Sequence, residues 1–422
     1  MNASATAAAA GGTDLHLRAG TAGFRRANWA LFAGGFATFA LLYCVQPILP
    51  VLAQAFGVGA ASSSLVLSLA TGTMAPAMLA ASSLSDAWGR KRVMGWSLAL
   101  ASGLSLAAAA SPTWSGLLIL RALVGLSLAG LPAVAMAYLC EEVDGDSLGV
   151  AMGLYISGNA VGGMVGRLLA GVLTDLAGWR VAVGVIALLS VAATFLLWLI
   201  LPHSRHFQAR PLEFGMLARS LGRHLAEPGM LQLFAMGFVL LGCFVTVYNY
   251  IGYRLVAAPY GFRQSAVAAL FSVYVVGVFT STWAGRLSGR LGRRRVLWWM
   301  PAVMLLGVLL TLFSWLPLVV AGVVLVTAGF FAGHSVASSW VGRRARGARA
   351  QASGLYLFFY YMGGSLVGWL GGFAWSGGAW PGVAALVGAV ALAGVVLALR
   401  LRSLPRLLPA AVPEIEPAEP AG

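Results

Sequence analysis

Apolar segments of about 20 residues recur along almost the whole chain, and short polar or basic segments separate them. A helix of about 20 apolar residues crosses a hydrocarbon core about 30 Å thick. The segments are continuous in Leu, Val, Ala, Gly and Phe, whereas the strands of a membrane β-barrel are apolar only at every second position. The pattern therefore predicts an all-α integral membrane protein with about twelve transmembrane helices. The predicted spans are 29–52, 62–84, 94–110, 114–139, 149–176, 179–201, 229–254, 264–286, 296–315, 317–341, 352–376 and 380–401.

One longer polar segment, residues 202–228, interrupts the series after the sixth span. It carries four Arg, three His and two Glu, which is too polar to cross a bilayer, and it is typical of a cytoplasmic linker with an amphipathic piece. The chain thus divides into five predicted parts. They are a disordered cytoplasmic tail (1–24), a six-helix bundle (25–201), the linker (202–228), a second six-helix bundle (229–402) and a cytoplasmic tail (403–422).

The two predicted bundles resemble each other in sequence. The segment Ser82–Val93 returns as Gly285–Val296 at a shift of 203, and Gly153–Gly163 returns as Gly354–Gly364 at a shift of 201. Gly171 and Trp179 likewise return as Gly372 and Trp380. Such a shift predicts parallel repeats, an arrangement in which a solute binds near the bilayer midplane between two halves that rock.

Composition agrees with lipid as the solvent, since 60% of the residues are hydrophobic and 9% are charged, against about a quarter charged in soluble domains. The net charge of +15 would suggest nucleic-acid binding in a soluble protein. Here the basic residues lie in one alternating set of connections and at both ends, with five exceptions. These are Arg180, Arg254 and Arg263 on the other side, and Arg121 and Arg167 inside spans. This positive-inside distribution excludes the nucleic-acid interpretation and predicts a bacterial inner membrane protein with both termini in the cytoplasm.

The loop after the second span resembles the signature of the major facilitator superfamily, G-x-L-x-D-R-x-G-R-[KR]-[KR]. It has Ser82 and Ala87 where that family has Gly and Arg, and a second copy after the eighth span has Gly289 in place of the acid. The resemblance covers residues 25–402 and implies two six-helix bundles that work by alternating access. It also implies that these loops latch the cytoplasmic side in the outward-facing state. The latch residues would be Asp86, Gly89, Arg90, Lys91, Arg92, Gly285, Arg290, Gly292 and Arg293.

A physical argument favours Asp86 in particular as a latch residue. A carboxylate at the membrane edge beside tight glycine turns is placed to accept hydrogen bonds from a helix N-terminus or an arginine. The basic residues alone have a second explanation, because any cytoplasmic loop of a membrane protein gathers Arg and Lys for orientation.

Two arginines inside predicted spans are the leading candidates for a binding site, since a guanidinium in a span costs at least a few kcal/mol unless it faces a wet cavity or a partner. Arg121 begins an R-x-x-x-G motif that resembles a second signature of the family, and snorkelling to the interface is the alternative for it. Arg167 lies ten residues before Ala177, about 15 Å from the helix end, which makes it the deeper of the two. The small-residue stretch before it, Gly158–Gly166, predicts a close helix contact and points Asn159 to the cavity.

Other polar and aromatic residues fall on the spans that line the cavity in this family. Tyrosine hydroxyls and amides need partners in lipid, although an aromatic stripe is more often plain packing. The further cavity candidates are Tyr43, Gln46, Tyr248, Asn249, His334, Tyr360 and Tyr361.

Proton coupling has few possible carriers in this sequence. None of the twelve acidic residues lies deep in a span, so a carboxylate carrier would have to be Asp175 or Asp86 at a span end. His334 is the single histidine within a predicted span and titrates in the right range. Coupling to protons is therefore implied by the resemblance more than by the residues.

We expect a secondary active transporter that carries out proton-coupled efflux of a sugar-like or drug-like compound. The segment Tyr43-x-x-Gln46-Pro47-Ile48-Leu49-Pro50 resembles the arabinose-efflux-like branch of the superfamily. Uptake of a small organic anion is the alternative, because two deep arginines face no deep acid. A channel or a membrane-embedded enzyme is more distant, since no paired acids, histidine cluster or phosphate-binding loop occurs. We expect a monomer in the lipid bilayer without a cofactor or metal.

Overall fold

A computed structural model describes residues 16–207, 214–345 and 348–403 of the 422-residue chain. The helices are α1 (Ala22–Tyr43), α2 (Leu49–Phe56), α3 (Ala60–Trp88), α4 (Arg90–Ala110), α5 (Trp114–Leu128), α6 (Gly130–Glu142), α7 (Gly145–Ala177), α8 (Trp179–Ile200), α9 (Phe214–Leu225), α10 (Pro228–Val256), α11 (Gln264–Ala269), α12 (Tyr274–Leu291), α13 (Arg293–Val296), α14 (Trp299–Leu310), α15 (Leu316–Arg344) and α16 (Arg349–Ser403). A 3₁₀ turn, Leu270–Val273, joins α11 to α12.

These helices form twelve crossings in two bundles. Within the described ranges, nine helical stretches are long and apolar enough to span a membrane. One of them, α16, contains two crossings, because Gly378 and Ala379 have non-helical backbone angles just before Pro381. The remaining two crossings are α1 with α2 and α13 with α14. The prediction of an all-α membrane protein with about twelve spans is confirmed.

The first crossing differs from its prediction as one continuous span. It is broken at residues 44–48, between α1 and α2, because Pro47 has no N–H to continue the helical ladder. The fourth crossing, by contrast, continues through Ala129, between α5 and α6, with helical backbone angles. Within the linker, α9 supplies the predicted helical piece.

The prediction that residues 1–24 are disordered is wrong for residues 16–24. The N–H of Leu17 donates to the Glu142 carbonyl at 2.7 Å, and the Asp144 N–H donates to the Leu17 carbonyl at 3.1 Å. The N–H of Ala19 also donates to the Ser147 hydroxyl at 2.9 Å. The segment is ordered because it satisfies backbone groups of the loop between α6 and α7. Residues 1–15, and the predicted tail beyond Ser403, lie outside the described ranges.

Small residues let α7 pack directly on α1, as the sequence predicts. A β-carbon at Gly158 or Gly162 would collide with the backbone of Phe32 or Phe36. The second bundle repeats this contact, with Gly363 of α16 against the backbone of Phe238 in α10. The shift of about 202 residues between these pairs confirms the internal repeat.

The two bundles meet along α3 and α16, and at one end of the molecule α7 and α11 meet as well. We call the end that carries the loops Gly89–Arg92 and Gly292–Arg295 the basic end, and the other the distal end. At the distal end, Gly171 of α7 lies against Gln264 and Ala268 of α11, and Gly372 of α16 lies against Ala61 of α3. Gly171 and Gly372 are repeat equivalents, so the distal closure is pseudo-symmetric.

Toward the basic end, α7 and α12 separate, because α7 contacts α11 and the 3₁₀ turn but makes at most a slight contact with α12. Five glycines of the two helices are exposed there, and added β-carbons would meet nothing within 4 Å. These five are Gly145, Gly149, Gly153, Gly285 and Gly289. The structure is therefore closed at the distal end and open between α7 and α12 at the basic end.

Candidate functional site

A chain of buried polar side chains crosses the boundary between the two bundles. The Arg167 Nε of α7 donates to the Gln46 Oε1 at 2.8 Å, and the Gln46 Nε2 donates to the Asn249 Oδ1 of α10 at 2.8 Å. The three residues are 2%, 1% and 0% exposed. The structure therefore brings together three of the residues that the sequence predicts for the cavity, and their role in binding stays a prediction.

The broken first crossing explains how Gln46 reaches this position. Gln46 lies in the break between α1 and α2, where its own N–H donates to the Tyr43 carbonyl at 3.0 Å. Because Pro47 ends the helical ladder, the Gln46 amide projects between the bundles and can bond on both sides at once.

Aromatic rings surround the Arg167 guanidinium. Its Cζ lies 4.2 Å from the Tyr43 ring centroid, 5.0 Å from that of Phe271 and 4.9 Å from that of Tyr274. Its Nη1 also donates to the Gly163 carbonyl at 2.6 Å. In the described part of the chain no carboxylate forms an ion pair with Arg167, so its charge is balanced only by dipoles and ring faces. Phe271 and Tyr274 were not identified from the sequence. The need of a tyrosine hydroxyl for a partner in lipid could have pointed to Tyr274, whereas Phe271 has no polar group to single it out.

The Tyr274 hydroxyl has no hydrogen-bond partner among the described residues, and the Tyr274 ring centroid lies 4.9 Å from the Arg167 Cζ. The Asn249 Nδ2 also has no partner among them, but it lies beside Gly368 of α16. Buried polar groups are nearly always satisfied by protein or by ordered water, so the Tyr274 hydroxyl marks a place near the guanidinium where water or solute can bind. A hydroxyl can donate a hydrogen bond, which suits an electronegative occupant.

The remaining aromatic candidates form a layer on the second bundle. Tyr248 bonds the Thr327 hydroxyl at 2.8 Å and packs edge-on to Tyr274. His334 contacts the Tyr356 hydroxyl through Nδ1 at 3.0 Å, and its ring lies 4.7 Å from that of Tyr360. Tyr361, next to Tyr360, is buried. Tyr248 therefore adjoins the Arg167 surroundings directly, whereas His334 and Tyr360 belong to a neighbouring cluster.

Asn159 does not join the polar chain. It precedes Arg167 by eight residues, about 12 Å along α7, and its Oδ1 lies against Gly35 of α1. The expectation that the small-residue stretch turns Asn159 to a cavity differs from this placement, because the same stretch packs so closely on α1 that the amide is held at that contact.

Arg121 requires a correction, since the structure gives it a structural role in place of a solute contact. Its Nε donates to the Val66 carbonyl at 3.0 Å, and Nη1 and Nη2 donate to the Leu41 and Leu42 carbonyls at 2.9 and 2.7 Å. These last two carbonyls lie at the end of α1, where the break removes their helical donors. Arg121 therefore ties α1 and α3 together across the break.

Asp175, a candidate proton carrier, lies at the distal end between the bundles. Its carboxylate accepts from the backbone N–H groups of Gln264 and Ser265 at 3.1 and 2.8 Å. The Asp175 carboxylate of the first bundle thus caps the N-terminus of α11 in the second bundle. Close by, the hydroxyls of Ser63 and Tyr253 are 2.5 Å apart across the same boundary.

Comparison with known proteins identifies the family to which the chain belongs. The sequence profile of the Major Facilitator Superfamily matches residues 31–262. The chain belongs to this superfamily. It is 48% identical over 385 residues to the inner membrane transport protein YnfM of Escherichia coli, covering 91% of this chain and 92% of that protein. It is 46% identical to the uncharacterized MFS-type transporter YybF of Bacillus subtilis over 372 residues, covering 88% of this chain and 92% of that one.

Solved structures share the fold at low sequence identity. A bacterial homologue of the human lysosomal transporter Spinster, in an inward-facing and unoccupied conformation, matches with a TM-score of 0.69 and 15% identity over 90% of this chain and 96% of that chain. A point mutant of the nucleoside transporter NupG matches with a TM-score of 0.73 and 15% identity over 89% of this chain and 99% of that chain. This major facilitator protein thus has the fold of its superfamily.

The superfamily loop at the basic end makes its contacts within the first bundle. An Asp86 oxygen lies 2.5 Å from the Arg90 Nη1, and Arg90 also forms a two-point pair with Glu141, at 2.6 Å from Nη2 and 3.1 Å from Nε. The Lys91 Nζ donates to the Leu201 carbonyl at 2.6 Å, while Arg92 is exposed. Glu141 was missed from the sequence because it lies 51 residues from Arg90.

In the part of the chain that the structure describes, the ion pairs and hydrogen bonds of this loop therefore stay within the first bundle, and the latch in the outward-facing state stays a prediction. The second copy of the loop also makes its contact within its own bundle, because the Arg293 Nε donates to the Ser339 hydroxyl at 3.1 Å. Gly285 and Arg290 are exposed on α12.

Gly89 and Gly292 end their helices with φ of 95° and 87°, a backbone conformation that favours glycine.

Proposed function

We propose that the protein is a secondary active transporter that moves a small organic anion by alternating access, with Arg167 as the group that binds the anion. The observation that carries this proposal is the buried guanidinium at the bundle boundary with no carboxylate partner in the described ranges. A guanidinium presents a planar fork that matches a carboxylate or a phosphate in two-point geometry. An anionic solute would supply the missing counter-charge and could accept a hydrogen bond from the Tyr274 hydroxyl nearby.

The position of Arg167 suits alternating access. Its partner Gln46 is bonded to Asn249 of the other bundle, so the anion site lies where the bundles meet. We infer that the basic end is cytoplasmic, in agreement with the positive-inside distribution, and that both termini lie there. This conformation would then open to the cytoplasm, with the distal end closed toward the outside. We propose, further, that the transporter lies in the bacterial inner membrane, works as a monomer and is not an enzyme.

A second candidate is proton-coupled efflux of a sugar-like or drug-like compound. The observation in its favour is the aromatic lining, since Tyr43, Tyr274 and Tyr360 offer ring faces on which a flat or cyclic solute stacks. In this candidate His334, bonded to Tyr356, would carry the proton, and Asp175 at the distal end would be the weaker alternative.

The test is transport by purified protein in sealed vesicles, with and without a pH gradient, for a panel of organic anions, sugars and lipophilic cations. Solute affinity is then compared among wild type, Arg167→Lys and Arg167→Ala at equal folded amounts. We expect an anion to be transported, with affinity lost in Arg167→Ala and only partly kept in Arg167→Lys. Arg180→Gln, outside the site, is the control. Unchanged affinity in both Arg167 variants, or transport of a lipophilic cation, would contradict the anion proposal.

A further inference from the structure

A groove of about 970 Å³ runs along the side of the first bundle, between α3, α4 and the junction of α5 with α6. We call it the lateral groove. Its walls are apolar over most of their length, with Leu84, Leu100 and Leu126 among them, and it ends beside Arg92. The groove lies on three helical stretches that are long and apolar enough to span a membrane.

The lateral groove faces away from the second bundle. On α3, Ser68 marks the side that meets the other bundle, because its carbonyl accepts from the Ser365 hydroxyl of α16 at 2.6 Å. Ala77, in the groove wall, follows Ser68 by nine residues, which is about two and a half helical turns and therefore the opposite side of the helix. The groove consequently opens toward the surrounding lipid and is separate from the Arg167 site.

The rim of the groove at the basic end combines an exposed cation with interfacial aromatic rings. No acidic side chain of the described ranges pairs with Arg92, whereas Arg90 is held by Asp86 and Glu141. Trp88 and Trp96 beside it are 65% and 62% exposed. Tryptophan on the surface of a spanning helix favours the headgroup region of a bilayer, and an arginine there attracts anionic headgroups.

The length of the groove suits a lipid chain. From Arg92 to Leu100 is eight residues of α4, about 12 Å along the helix axis. One leaflet of a hydrocarbon core about 30 Å thick is about 15 Å deep. An acyl chain whose headgroup lies at Arg92 could therefore follow the groove through most of the depth of its leaflet.

We propose that the lateral groove binds an anionic phospholipid of the leaflet at the basic end, with the phosphate on Arg92 and an acyl chain between α3 and α4. Ala87 and Trp88 belong both to this groove and to the superfamily loop that carries Asp86. A bound lipid would therefore contact the loop whose rearrangement accompanies closure of the basic end. This inference does not depend on which solute the protein carries.

The test measures lipid binding to delipidated, purified protein by native mass spectrometry, with dioleoyl phosphatidylglycerol compared with dioleoyl phosphatidylcholine. We expect tighter binding of phosphatidylglycerol to the wild type. Arg92→Gln should weaken that binding about fivefold, the effect of one basic residue near an anionic surface, and Arg92→Lys should largely keep it. Ala80→Trp, which fills the exposed wall of the groove, should weaken binding of both lipids. Arg400→Gln, an exposed cation at the basic end of the second bundle, is the control.

Several outcomes would overturn the proposal. Equal binding of the two lipids to the wild type would remove the role of the headgroup charge. Unchanged phosphatidylglycerol binding in Arg92→Gln and Ala80→Trp would place the lipid elsewhere. Glycerol 3-phosphate is added as a soluble headgroup probe, and if it binds as tightly as the whole lipid, the groove contributes nothing. Thermal unfolding of each variant in detergent confirms that loss of lipid is not loss of fold.

Discussion

Gln46 of the first bundle and Asn249 of the second are joined by a hydrogen bond of 2.8 Å, from Nε2 to Oδ1, in the buried centre of the molecule. The same Gln46 side chain accepts from Arg167 through its Oε1. One amide therefore connects the candidate anion site to the contact between the bundles. A solute that draws Arg167 away from Gln46 would act directly on that contact, which is the kind of differential interaction that shifts a two-state equilibrium.

Gln46→Ala should weaken the central contact between the two bundles. The change leaves the Asn249 carbonyl and one Arg167 donor without partners in a buried place, at about 1–3 kcal/mol for each such group. We expect a lower thermal unfolding midpoint and weaker solute binding. Gln54→Ala, an exposed amide at the end of α2, is the matched control and should change neither quantity. A Gln46→Ala protein with wild-type stability and affinity would show that the chain of amides has no energetic role.

Arg121 and Arg167 should respond differently to replacement by lysine. Arg121 donates to three carbonyls in different directions, and one ammonium cannot reach all of them, so Arg121→Lys should destabilise the fold by about 3 kcal/mol. The folded fraction of Arg121→Lys should nevertheless bind solute with wild-type affinity. Arg167→Lys should instead lower the affinity. Thermal unfolding and solute binding, measured on the same samples, separate the loss of stability from the loss of affinity. Reduced affinity in the folded fraction of Arg121→Lys would show that Arg121 does contribute to the binding site.

Gly372→Leu should hold the distal end open. A side chain at this position would collide with Ala61 of the other bundle, so the closed contact could not form. The measurement is labelling of a cysteine introduced at Ser63, which is buried at the same boundary, in protein without its native cysteines. Labelling from the distal side should be slow in the parent and fast with Gly372→Leu. Gly377→Leu is the control, because an added β-carbon there meets nothing within 4 Å, and it should label as slowly as the parent. Slow labelling of the Gly372→Leu protein as well would contradict this account.

Asp86→Asn should reduce transport while expression and solute binding stay largely intact. The Asp86 carboxylate contacts Arg90 in the open state, and the superfamily loop is expected to exchange contacts when the basic end closes. Losing one partly exposed charged contact alters the balance between conformations more than it alters the fold. Asp146→Asn, in the first turn of α7, serves as the control. If binding falls in step with transport, the residue acts on folding or on the site instead of on conformational exchange.

The ion pair of Glu227 with Arg344 predicts a pH dependence of stability. Two hydrogen bonds from the Arg344 guanidinium, at 2.8 and 2.7 Å, hold the pKa of Glu227 below its usual value of 4.5. Because the folded pKa is depressed, this stabilisation is present above the unfolded pKa and is lost as the pH falls through the folded pKa. Glu227→Gln should therefore unfold at a lower temperature than the wild type at pH 7, and the difference should shrink below about pH 4.5. An equal difference at both pH values would mean that ionisation of Glu227 contributes nothing.

Much of the architecture followed from the sequence, for reasons that are local. A bilayer demands continuous apolar helices of a fixed length, so hydropathy alone predicts where crossings occur. An internal repeat keeps its register, so the shift of 201 residues between Gly153–Gly163 and Gly354–Gly364 made Gly162 and Gly363 equivalent positions, and the structure places both at close helix contacts. The depth of Arg167 within its span was also readable, because the span ends are marked by polar residues.

Other features depended on tertiary packing. Arg121 and Arg167 are the same residue type inside predicted spans, and only the fold shows what each one faces. Arg121 faces the carbonyls freed by the break at residues 44–48, whereas Arg167 faces Gln46 and aromatic rings. The partners Glu141 and Phe271 are distant in sequence from Arg90 and Arg167. Sequence determined which groups must find partners in an apolar medium, since that need is a property of each side chain. The choice of partner was decided by the three-dimensional approach of helices, because a hydrogen bond is set by distances of a few ångströms between atoms that the chain order does not bring together.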